Sequence, residues 1–321
     1  MKIGVIRLSS LGDVVLSSAV LQPLYERGFD ITYITFKPFG ELFKKDYRIS
    51  NLIEVSKENL KGLKQIKNFS ENLKELDLIL DIHSNLRTFL ISKFSQVPTL
   101  KYNKKSLKRR MFTNTFLKKF VNLEGYNVVN AYLKPLEKLG IKGNYRPKII
   151  LDENDFPKIN LPDDFIAIGT GARYQSKVYP YFKDVIDLLQ KDGENIVLIG
   201  SAEDKKKDRN VYKNVIDLRG KLSLRESAAV LSKAKLTISN DSAIAHISRA
   251  VKTKVLVIYG ATHPFLGFYP FEDEGNYMYA NLKCQPCDLH GKKECKYKNY
   301  ACFDKIKPQQ VYTEAMNLIE K

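Results

Sequence analysis

Short runs of β-branched and other apolar residues alternate along this chain with longer segments in which apolar residues recur at helical spacing. This alternation is typical of α/β proteins, in which a parallel sheet is covered by helices on both faces. Two such series follow one another, which predicts two Rossmann-like, doubly wound lobes. We expect strands at residues 3–8, 31–36, 52–55, 78–82 and 99–102, and then at 165–169, 196–199, 215–218, 236–239 and 255–259.

The amphipathic segments between these strands predict the helices, and a change in composition predicts the boundary between the lobes. A length of 321 residues suits two domains of ordinary size. Residues 146–163 contain three prolines, with three acidic residues before Pro162, which indicates a linker, so we place the lobes at 1–157 and 158–321. We expect helices at residues 14–27, 59–76, 86–94, 181–191, 203–212, 224–233 and 243–250.

No apolar run approaches the roughly 18 residues that a membrane-spanning helix needs. The first residues read as a strand rather than as a signal peptide, because no long apolar segment follows the initial Met1-Lys2. The sequence therefore predicts a cytoplasmic protein.

Basic residues are in excess and are unevenly distributed. The formal net charge is +17, from 53 Lys and Arg against 36 Asp and Glu. Residues 1–150 hold 27 basic and 13 acidic side chains, or +14, and the remainder is near neutral at +3. This asymmetry predicts a polyanionic partner for the first lobe, which could be nucleic acid, an anionic membrane surface or a phosphorylated substrate. Nucleic acid is the weaker alternative, because no recognised nucleic-acid-binding motif is present.

The segment Lys101–Lys119 concentrates this charge, with eight Lys or Arg and no acidic residue. Its apolar residues recur at roughly helical spacing, which is compatible with a basic amphipathic helix at a lipid or sugar-phosphate surface. A solvated helix face would have the same pattern.

Ligands of open parallel sheets bind where strands end and helices begin, so each such junction is a candidate site. The motifs GxGxxG, GxxxxGK[ST] and HExxH are absent, which disfavours dehydrogenases, P-loop ATPases and HExxH metalloproteases. The first junction is RLSSLGDVVLSSAVL. Asp13 stands there either as a helix N-cap or as a general base.

Two junctions of the second lobe combine flexible turns, cations and a helix start. In IAIGTGARYQSKVYP, Arg173 and Lys177 suit a phosphate, although two solvated loop cations would have the same pattern. In LTISNDSAIAHISRA, Asp241 or Ser242 can cap a helix whose first amides would face an anion, with His246 on the same face. The segment VIYGATHP follows and adds Gly260 and Thr262.

All four cysteines lie within residues 284–302. Clustered cysteines in a cytosolic protein favour a structural metal over disulfides, with thiols or a redox pair as alternatives. The candidate metal ligands are Cys284, Cys287, Cys295 and Cys302.

These four segments, RLSSLGDVVLSSAVL, the lysine loop ending in KVYP, SNDSAIAHISRA and YGATHP, occur in an order that resembles glycosyltransferase family 9, the ADP-heptose:lipopolysaccharide heptosyltransferases. The similarity spans almost the whole chain, including the cysteine segment and the IKPQQV that follows it. The resemblance implies a GT-B fold, with two Rossmann-like lobes that face a cleft. It implies an inverting, metal-independent heptose transfer from ADP-heptose to an inner-core sugar of lipopolysaccharide.

The resemblance also implies roles for individual residues. Asp13 corresponds to the proposed catalytic base, and Lys177 to the lysine that meets the donor diphosphate. The chain departs from the family at Ala243, where glycine is usual. Thr170 and Gly171 are donor-side candidates because they form a flexible turn after the strand at 165–169. The further donor-side residues that the resemblance implies, some by a looser alignment, are Arg173, Gly200, Ser201, Glu203, Asp241, Ser242 and His246, and DIHSNLRT (Asp81, His83, Arg87) resembles the acceptor-side loop.

The partners implied are a nucleotide-sugar donor, a phosphorylated lipopolysaccharide core acceptor and the anionic cytoplasmic face of the inner membrane. The N-terminal lobe would bind the acceptor and the C-terminal lobe the donor. No cofactor is expected for catalysis. A different nucleotide-sugar donor on the same fold, a non-catalytic nucleotide-sugar binder and a basic nucleic-acid-binding protein are the alternative hypotheses.

Overall fold

Residues 1–320 are described by a computed structural model, in which they form two compact units. The first unit consists of residues 1–104 and 128–151. The second consists of residues 105–127 and 152–320. Each unit is built on one sheet.

The first unit has a five-stranded sheet in which every pair of neighbours is parallel, in the order β3-β2-β1-β4-β5. The central strand β1 is fully buried after its first residue, and its Ile3 pairs with Ile31 on one side and Leu78 on the other. The strands are β1 (Lys2–Ile6), β2 (Asp30–Phe36), β3 (Asn51–Val55), β4 (Leu78–Asp81) and β5 (Thr99–Lys101).

The helices of this part of the chain are short. Those of the first unit are α1 (Leu11–Ser17), α2 (Leu21–Glu26), α3 (Leu63–Glu71), α4 (Leu86–Ser95) and α6 (Val128–Leu133), while α5 (Ser106–Phe112) belongs to the second unit. Short 3-10 helices lie at Ser18–Val20, Phe39–Phe43, Glu58–Leu60, Leu117–Phe120 and Lys134–Leu139.

The second unit has a six-stranded sheet, again parallel throughout, in the order β11-β10-β9-β6-β7-β8. Its strands are β6 (Ile166–Gly169), β7 (Ile196–Leu198), β8 (Val215–Asp217), β9 (Leu236–Asn240), β10 (Val255–Tyr259) and β11 (Gly275–Tyr279). The helices are α7 (Phe182–Lys191), α8 (Ala202–Lys207), α9 (Leu224–Leu231), α10 (Ala243–Ala250), α11 (Ala301–Asp304) and α12 (Pro308–Glu320), with 3-10 helices at Glu153–Asp155, Gln175–Lys177 and Pro264–Leu266.

The prediction of two α/β lobes with parallel sheets is confirmed, and all ten predicted strands are present. The predicted helix at 14–27 is wrong as a single helix, because a 3-10 turn separates α1 from α2. Ser17 and Ser18 donate their hydroxyls to the carbonyls three residues earlier, and Pro23 lacks the N–H that a continuous helix would use.

The basic segment Lys101–Lys119 is not one amphipathic helix, which corrects that prediction. It contains the end of β5, the seven-residue α5 and the start of a 3-10 helix. The side chain of Asn114 accepts hydrogen bonds from the amides of Phe116 and Leu117, which closes a turn that interrupts the helix.

Residues 105–127 group with the second unit, which changes the charge distribution. With this segment counted there, the first unit carries 21 basic and 12 acidic side chains, or +9, and the second, as far as residue 320, carries 31 and 24, or +7. The asymmetry of +14 against +3 is therefore a property of the linear sequence and not of the folded units.

A search of residues 1–320 for a helix with the length and apolar character of a membrane span finds none.

Candidate active site

Asp13 lies at the carboxyl end of β1, in the first turn of α1. The residue that caps this helix is Ser10, whose backbone N–H and hydroxyl donate to Oδ2 of Asp13 over 3.4 and 2.7 Å. The interpretation of Asp13 as the N-cap is therefore wrong. Asp13 occupies the third helical position and completes a capping box, in which its carboxylate is oriented by the helix start.

Two further side chains orient the Asp13 carboxylate. The guanidinium of Arg7 lies 2.7 Å from Oδ1, and the hydroxyl of Tyr132 donates to the same oxygen over 3.1 Å. Arg7 is buried and also donates to the carbonyl of Ile82, so its guanidinium is held by both this carbonyl and the Asp13 carboxylate. The Asp13 side chain retains 18% of its surface exposed, so the carboxylate is both oriented and accessible.

The segment after β4 has a structural role in the first unit. Oδ1 of Asp81 accepts hydrogen bonds from the amides of His83 and Ser84, over 3.0 and 2.8 Å. Burial raises the pKa of Asp81, and these hydrogen bonds offset that effect only in part. Arg87 donates to the carbonyl of Leu60 over 3.0 Å. Asp81 and Arg87 thus shape this loop.

His83 is a buried imidazole close to the side chains of Arg7 and Asp13. Burial lowers its pKa to about 3, and the positive charges of Arg7 and Lys104 contribute in the same direction. His83 is therefore neutral at physiological pH.

In the second unit, Lys177 and Asp241 come together although they follow different strands. Nζ of Lys177 is 2.7 Å from Oδ2 of Asp241, and the hydroxyl of Thr262 donates to the same oxygen over 2.8 Å. Burial alone would raise the pKa of Asp241, but Lys177, His246 and Thr262 together outweigh it, and the pKa is lowered. The Lys177 side chain is 15% exposed, so its cation is held in place and remains accessible.

The start of α10 lies immediately after Asp241. Ser242 is the N-cap by its backbone conformation, and its hydroxyl pairs with that of Ser239 at 3.0 Å rather than with a helix amide. Ala243 begins the helix. His246 is buried, with Nδ1 3.4 Å from a guanidinium nitrogen of Arg249. The first amides of α10 and the Lys177 cation form a local environment suited to an anion.

The turn after β6 is held by a residue that the sequence analysis did not single out. The buried amide of Asn240 donates to the carbonyls of Thr170 and Gly171 over 3.0 and 3.1 Å. Its Oδ1 accepts from the backbone N–H of Tyr179 over 2.9 Å. One side chain thus connects β9, the Thr170 turn and the segment that follows Lys177.

Arg219 is a second buried residue that the sequence analysis missed. It donates to Oγ1 of Thr170 over 3.0 Å and pairs with Asp208 and Asp217 at 2.7 and 3.0 Å. Burial opposes ionisation of Asp217, but its bonds with Arg219 dominate and lower its pKa to about 2. The Thr170 turn is therefore supported by an ionised network.

The predicted ribose-side residues make mainly local contacts. Ser201 is the N-cap of α8 and exchanges hydrogen bonds with Asp204, completing a capping box. Glu203 is exposed and pairs with Lys207 at 3.2 Å within the same helix. Gly200 accepts a hydrogen bond from the backbone of Gly220. These contacts give Ser201 a structural role in capping α8.

Arg173 is exposed, and its guanidinium lies 5.4 Å from the ring centre of Tyr174. Arg173 lies on the same loop as Lys177, between β6 and α7.

The four cysteines line one cavity of about 360 Å³. Within residues 1–320, no three His, Cys, Asp or Glu side chains are arranged to hold a metal ion, so the predicted structural metal at these cysteines is not supported. Burial raises the pKa of Cys287 to about 11 and that of Cys302 to about 12. Both thiols are therefore mainly protonated at physiological pH. The free thiols are Cys284, Cys287, Cys295 and Cys302.

A model of glycosyltransferase family 9 (heptosyltransferase) matches residues 91–301. The chain belongs to this family. The resemblance stated from the four sequence segments is thereby confirmed, and the match includes the Lys177 and Asp241 loops.

The alignment with a known relative extends the similarity beyond residues 91–301 to nearly the full chain. Lipooligosaccharide heptosyltransferase 2 of Campylobacter jejuni is 24% identical over 320 residues, covering 97% of this chain and 96% of the relative. The segment that contains Asp13 therefore also has a counterpart in a curated heptosyltransferase.

Solved structures agree on the fold. The family 9 glycosyltransferase of Veillonella parvula has a TM-score of 0.79 at 21% identity, covering 99% of this chain and 97% of that one. The Escherichia coli heptosyltransferase WaaC with ADP-2-deoxy-2-fluoro heptose has a TM-score of 0.68 at 16% identity, covering 98% of each. This family 9 glycosyltransferase accordingly has a GT-B-like fold.

Proposed function

We propose that this glycosyltransferase moves a heptose from ADP-heptose to an inner-core sugar of lipopolysaccharide, with inversion at the anomeric carbon. Family membership and the names of the relatives support a heptosyltransferase. The observation that carries the donor assignment is the accessible Lys177 cation beside the start of α10. A diphosphate needs cations and backbone donors, and the second unit supplies both.

Asp13 is the general base of the proposed reaction. Its carboxylate accepts the proton of the acceptor hydroxyl while that oxygen forms a bond to the anomeric carbon. The bond from this carbon to the diphosphate oxygen breaks, and its electron pair leaves with ADP. The capping box with Ser10 and the pair with Arg7 support this role, because they orient the carboxylate and leave it accessible.

Lys177 and the first amides of α10 stabilise the departing diphosphate. Charge on the leaving group grows in the transition state, so donors already in position lower the barrier. Asp241 and Thr262 position the Lys177 ammonium. Because protein groups neutralise the diphosphate, the proposed transfer is metal-independent. In this proposal the second unit binds the donor and the first binds the acceptor.

Thr170, Gly171 and Arg173 line the donor side in the same proposal. The hydrogen bonds from Asn240 support this, because they connect the Thr170 turn to the strand that precedes Asp241. Gly171 has a further requirement for its small size, since a Cβ there would lie 2.2 Å from a carboxylate carbon of Asp204. The further residues that would contact the donor in this proposal are Gly200, Ser201, Glu203, Ser242, Ala243 and His246.

We also propose that the protein acts at the cytoplasmic face of the inner membrane, through the segment Lys101–Lys119 and the residue that follows it. Phe116 and Phe120 are 65% and 66% exposed, and the ammonium of Lys119 lies within about 5 Å of both ring centres. Exposed aromatics with adjacent cations suit an anionic lipid surface, where each basic residue contributes about 1 kcal/mol.

Vesicle sedimentation tests the membrane proposal. We expect the protein to sediment with vesicles containing an anionic phospholipid, and not with neutral phosphatidylcholine. Reversal of the exposed Lys108 and Lys119 to Glu should abolish this, while reversal of the exposed Lys64 and Lys67 on α3 should not. Equal sedimentation of both variants would contradict the assignment to this segment.

A transfer assay with product analysis tests the reaction itself. ADP-heptose and a deacylated, phosphorylated inner-core acceptor are incubated with the protein, and the product is examined by NMR. We expect one added heptose with an anomeric configuration opposite to that of the donor. Retained configuration would contradict a single displacement assisted by Asp13.

A further inference from the structure

The segment from Gln285 to Gly291 contacts the two loops that carry Thr262 and Lys177. Gln285 is only 1% exposed, and its Nε2 lies within hydrogen-bonding distance of three backbone carbonyls. These belong to Tyr259, Gly260 and Thr262, at 3.2, 2.7 and 3.1 Å. One side-chain amide therefore gathers the backbone of the loop that follows β10.

This loop carries Thr262, which belongs to the group of residues around the Lys177 cation. Thr262 donates its hydroxyl to Asp241, and Asp241 in turn pairs with Lys177. Displacement of the Thr262 backbone would therefore displace a partner of Asp241. Asp241 is buried and positions the Lys177 ammonium, so the displacement would reach the cation.

The same segment also contacts the lysine directly. The backbone N–H of Cys287 donates to the carbonyl of Ala261 over 2.8 Å, and Ser176 donates its hydroxyl to the carbonyl of Gly291. A Cβ on Gly291 would lie 2.5 Å from Cγ of Lys177. The aliphatic part of Lys177 thus rests against the backbone at Gly291.

We propose that the Gln285–Gly291 segment, with Gln285 as its anchor, positions Thr262, Asp241 and Lys177 for the donor diphosphate. Gln285 is a positioning residue in this scheme, because it acts through the loop and through Lys177. The inference rests on the proposed function in taking ADP as the ligand. It gives this part of the cysteine-containing segment a role that depends on neither a bound metal nor a disulfide.

The test compares Gln285→Met with Gln190→Met. Gln190 is a matched control, because its Nε2 also donates to two backbone carbonyls of the second unit, those of Lys213 and Asn214, both at 2.9 Å. Calorimetry with ADP should show affinity at least tenfold weaker for Gln285→Met and within twofold of wild type for Gln190→Met. Equal ADP affinity of Gln285→Met and wild type would overturn the inference.

A second pair of variants covers the case in which Gln285→Met does not fold. Gly291 and Gly193 both have left-handed backbones, with φ of +72° and +84°, but a Cβ on Gly193 meets nothing within 4 Å. Both alanine variants therefore incur the backbone strain, and only Gly291→Ala pushes against Lys177. We expect ADP affinity to fall at least fivefold for Gly291→Ala alone. Equal affinities in the two variants would overturn the inference.

Amide NMR spectra of the ligand-free variants separate this inference from the proposed function. Resonances of Lys177, Asp241 and Thr262 should shift in Gln285→Met or Gly291→Ala and stay in place in the controls. Wild-type protein that fails to bind ADP would refute the proposed donor, and these spectra would still decide the positioning role. Unshifted resonances would refute that role whatever ligand is bound.

Discussion

Lys177 and Asp241 form a nearly buried ion pair, with Nζ and Oδ2 2.7 Å apart, between the loop after β6 and the end of β9. A lysine without such a partner is a mobile side chain with several rotatable bonds. Here the carboxylate and the Gly291 backbone limit where the ammonium can lie. The cation is therefore pre-positioned at the start of α10 before a ligand binds.

Loss of the Lys177 cation should weaken diphosphate binding and slow the transfer. We expect Lys177→Ala to reduce turnover by about 100-fold or more, since one such donor contributes roughly 3 kcal/mol to transition-state stabilisation. Calorimetry should also show weaker ADP binding. The control is Lys183→Ala, which removes an exposed lysine in an i,i+4 pair with Asp187. Unchanged ADP affinity in Lys177→Ala would contradict the phosphate assignment.

Removal of the proposed base should affect turnover and leave donor binding intact. Asp13→Asn keeps the shape of the side chain but cannot accept the acceptor proton, so we expect turnover to fall by about 100-fold to 10,000-fold. Glu226→Gln is the control, since Glu226 is likewise the third helical residue of a capping box, in α9. Rates that fall equally in both variants would indicate that Asp13 acts only through the helix cap.

Chelation should leave the reaction intact. Lys177 and the α10 amides supply the charge that a divalent ion supplies in metal-dependent transferases, so initial rates with excess EDTA should equal those without it. The measurement is turnover before and after dialysis against the chelator. A loss of rate that Mg²⁺ or Mn²⁺ restores would contradict a metal-independent mechanism.

Two buried histidines should make the protein less stable in mild acid. Burial lowers the pKa of both His83 and His263 to about 3, from about 6.5 in the unfolded chain. Below pH 6.5 the unfolded state binds protons that the folded state does not, so stability falls by up to about 1.4 kcal/mol per pH unit for each histidine.

Denaturant unfolding between pH 7 and pH 4.5 measures this effect. His83→Gln and His263→Gln should each flatten the dependence of the unfolding free energy on pH. His290→Gln is the control, because His290 is exposed. A slope that is the same in all three variants would show that neither imidazole is excluded from protonation in the folded state.

Asn240 should be important for stability as well as for the site. Asn240→Leu leaves the carbonyls of Thr170 and Gly171 without their donor and the Tyr179 amide without its acceptor. Each unsatisfied buried group costs about 1–3 kcal/mol. We expect a loss of at least about 2 kcal/mol in unfolding free energy and a lower ADP affinity. Stability within about 0.5 kcal/mol of wild type would contradict this role.

The strands and their order along the chain could be predicted because apolar runs of parallel strands are conspicuous. β11 was missed because Gly275–Tyr279 pairs on one side only and is partly exposed, which leaves it without a continuous apolar pattern. The predicted helix at 203–212 ends at Lys207, where the side chain of Asp208 accepts from the Asn210 amide and starts a turn.

The candidate site was predictable only in part. Asp13, Lys177 and Asp241 stand in short segments at strand ends, which is where ligands of such sheets bind. Arg7, Tyr132, Asn240 and Arg219 were missed, because their roles arise from contacts between residues distant in sequence.

The placement of residues 105–127 in the second unit had no local signal either. It depends on distant contacts, such as Lys118 with the carbonyl of Gln285 and Phe112 with the ring of His263. Prolines and charge predict a single point at which the chain passes from one unit to the other. They cannot detect an earlier segment that packs with the second unit.

A competition between donors tests whether the protein transfers heptose from ADP-heptose. Wild-type protein is given ADP-heptose, UDP-hexose and GDP-hexose in equal amounts with one deacylated, phosphorylated inner-core acceptor, and the mass of the product is recorded. We expect the addition of one heptose with release of ADP. Transfer of a hexose with release of UDP or GDP, and no reaction with ADP-heptose, would contradict it.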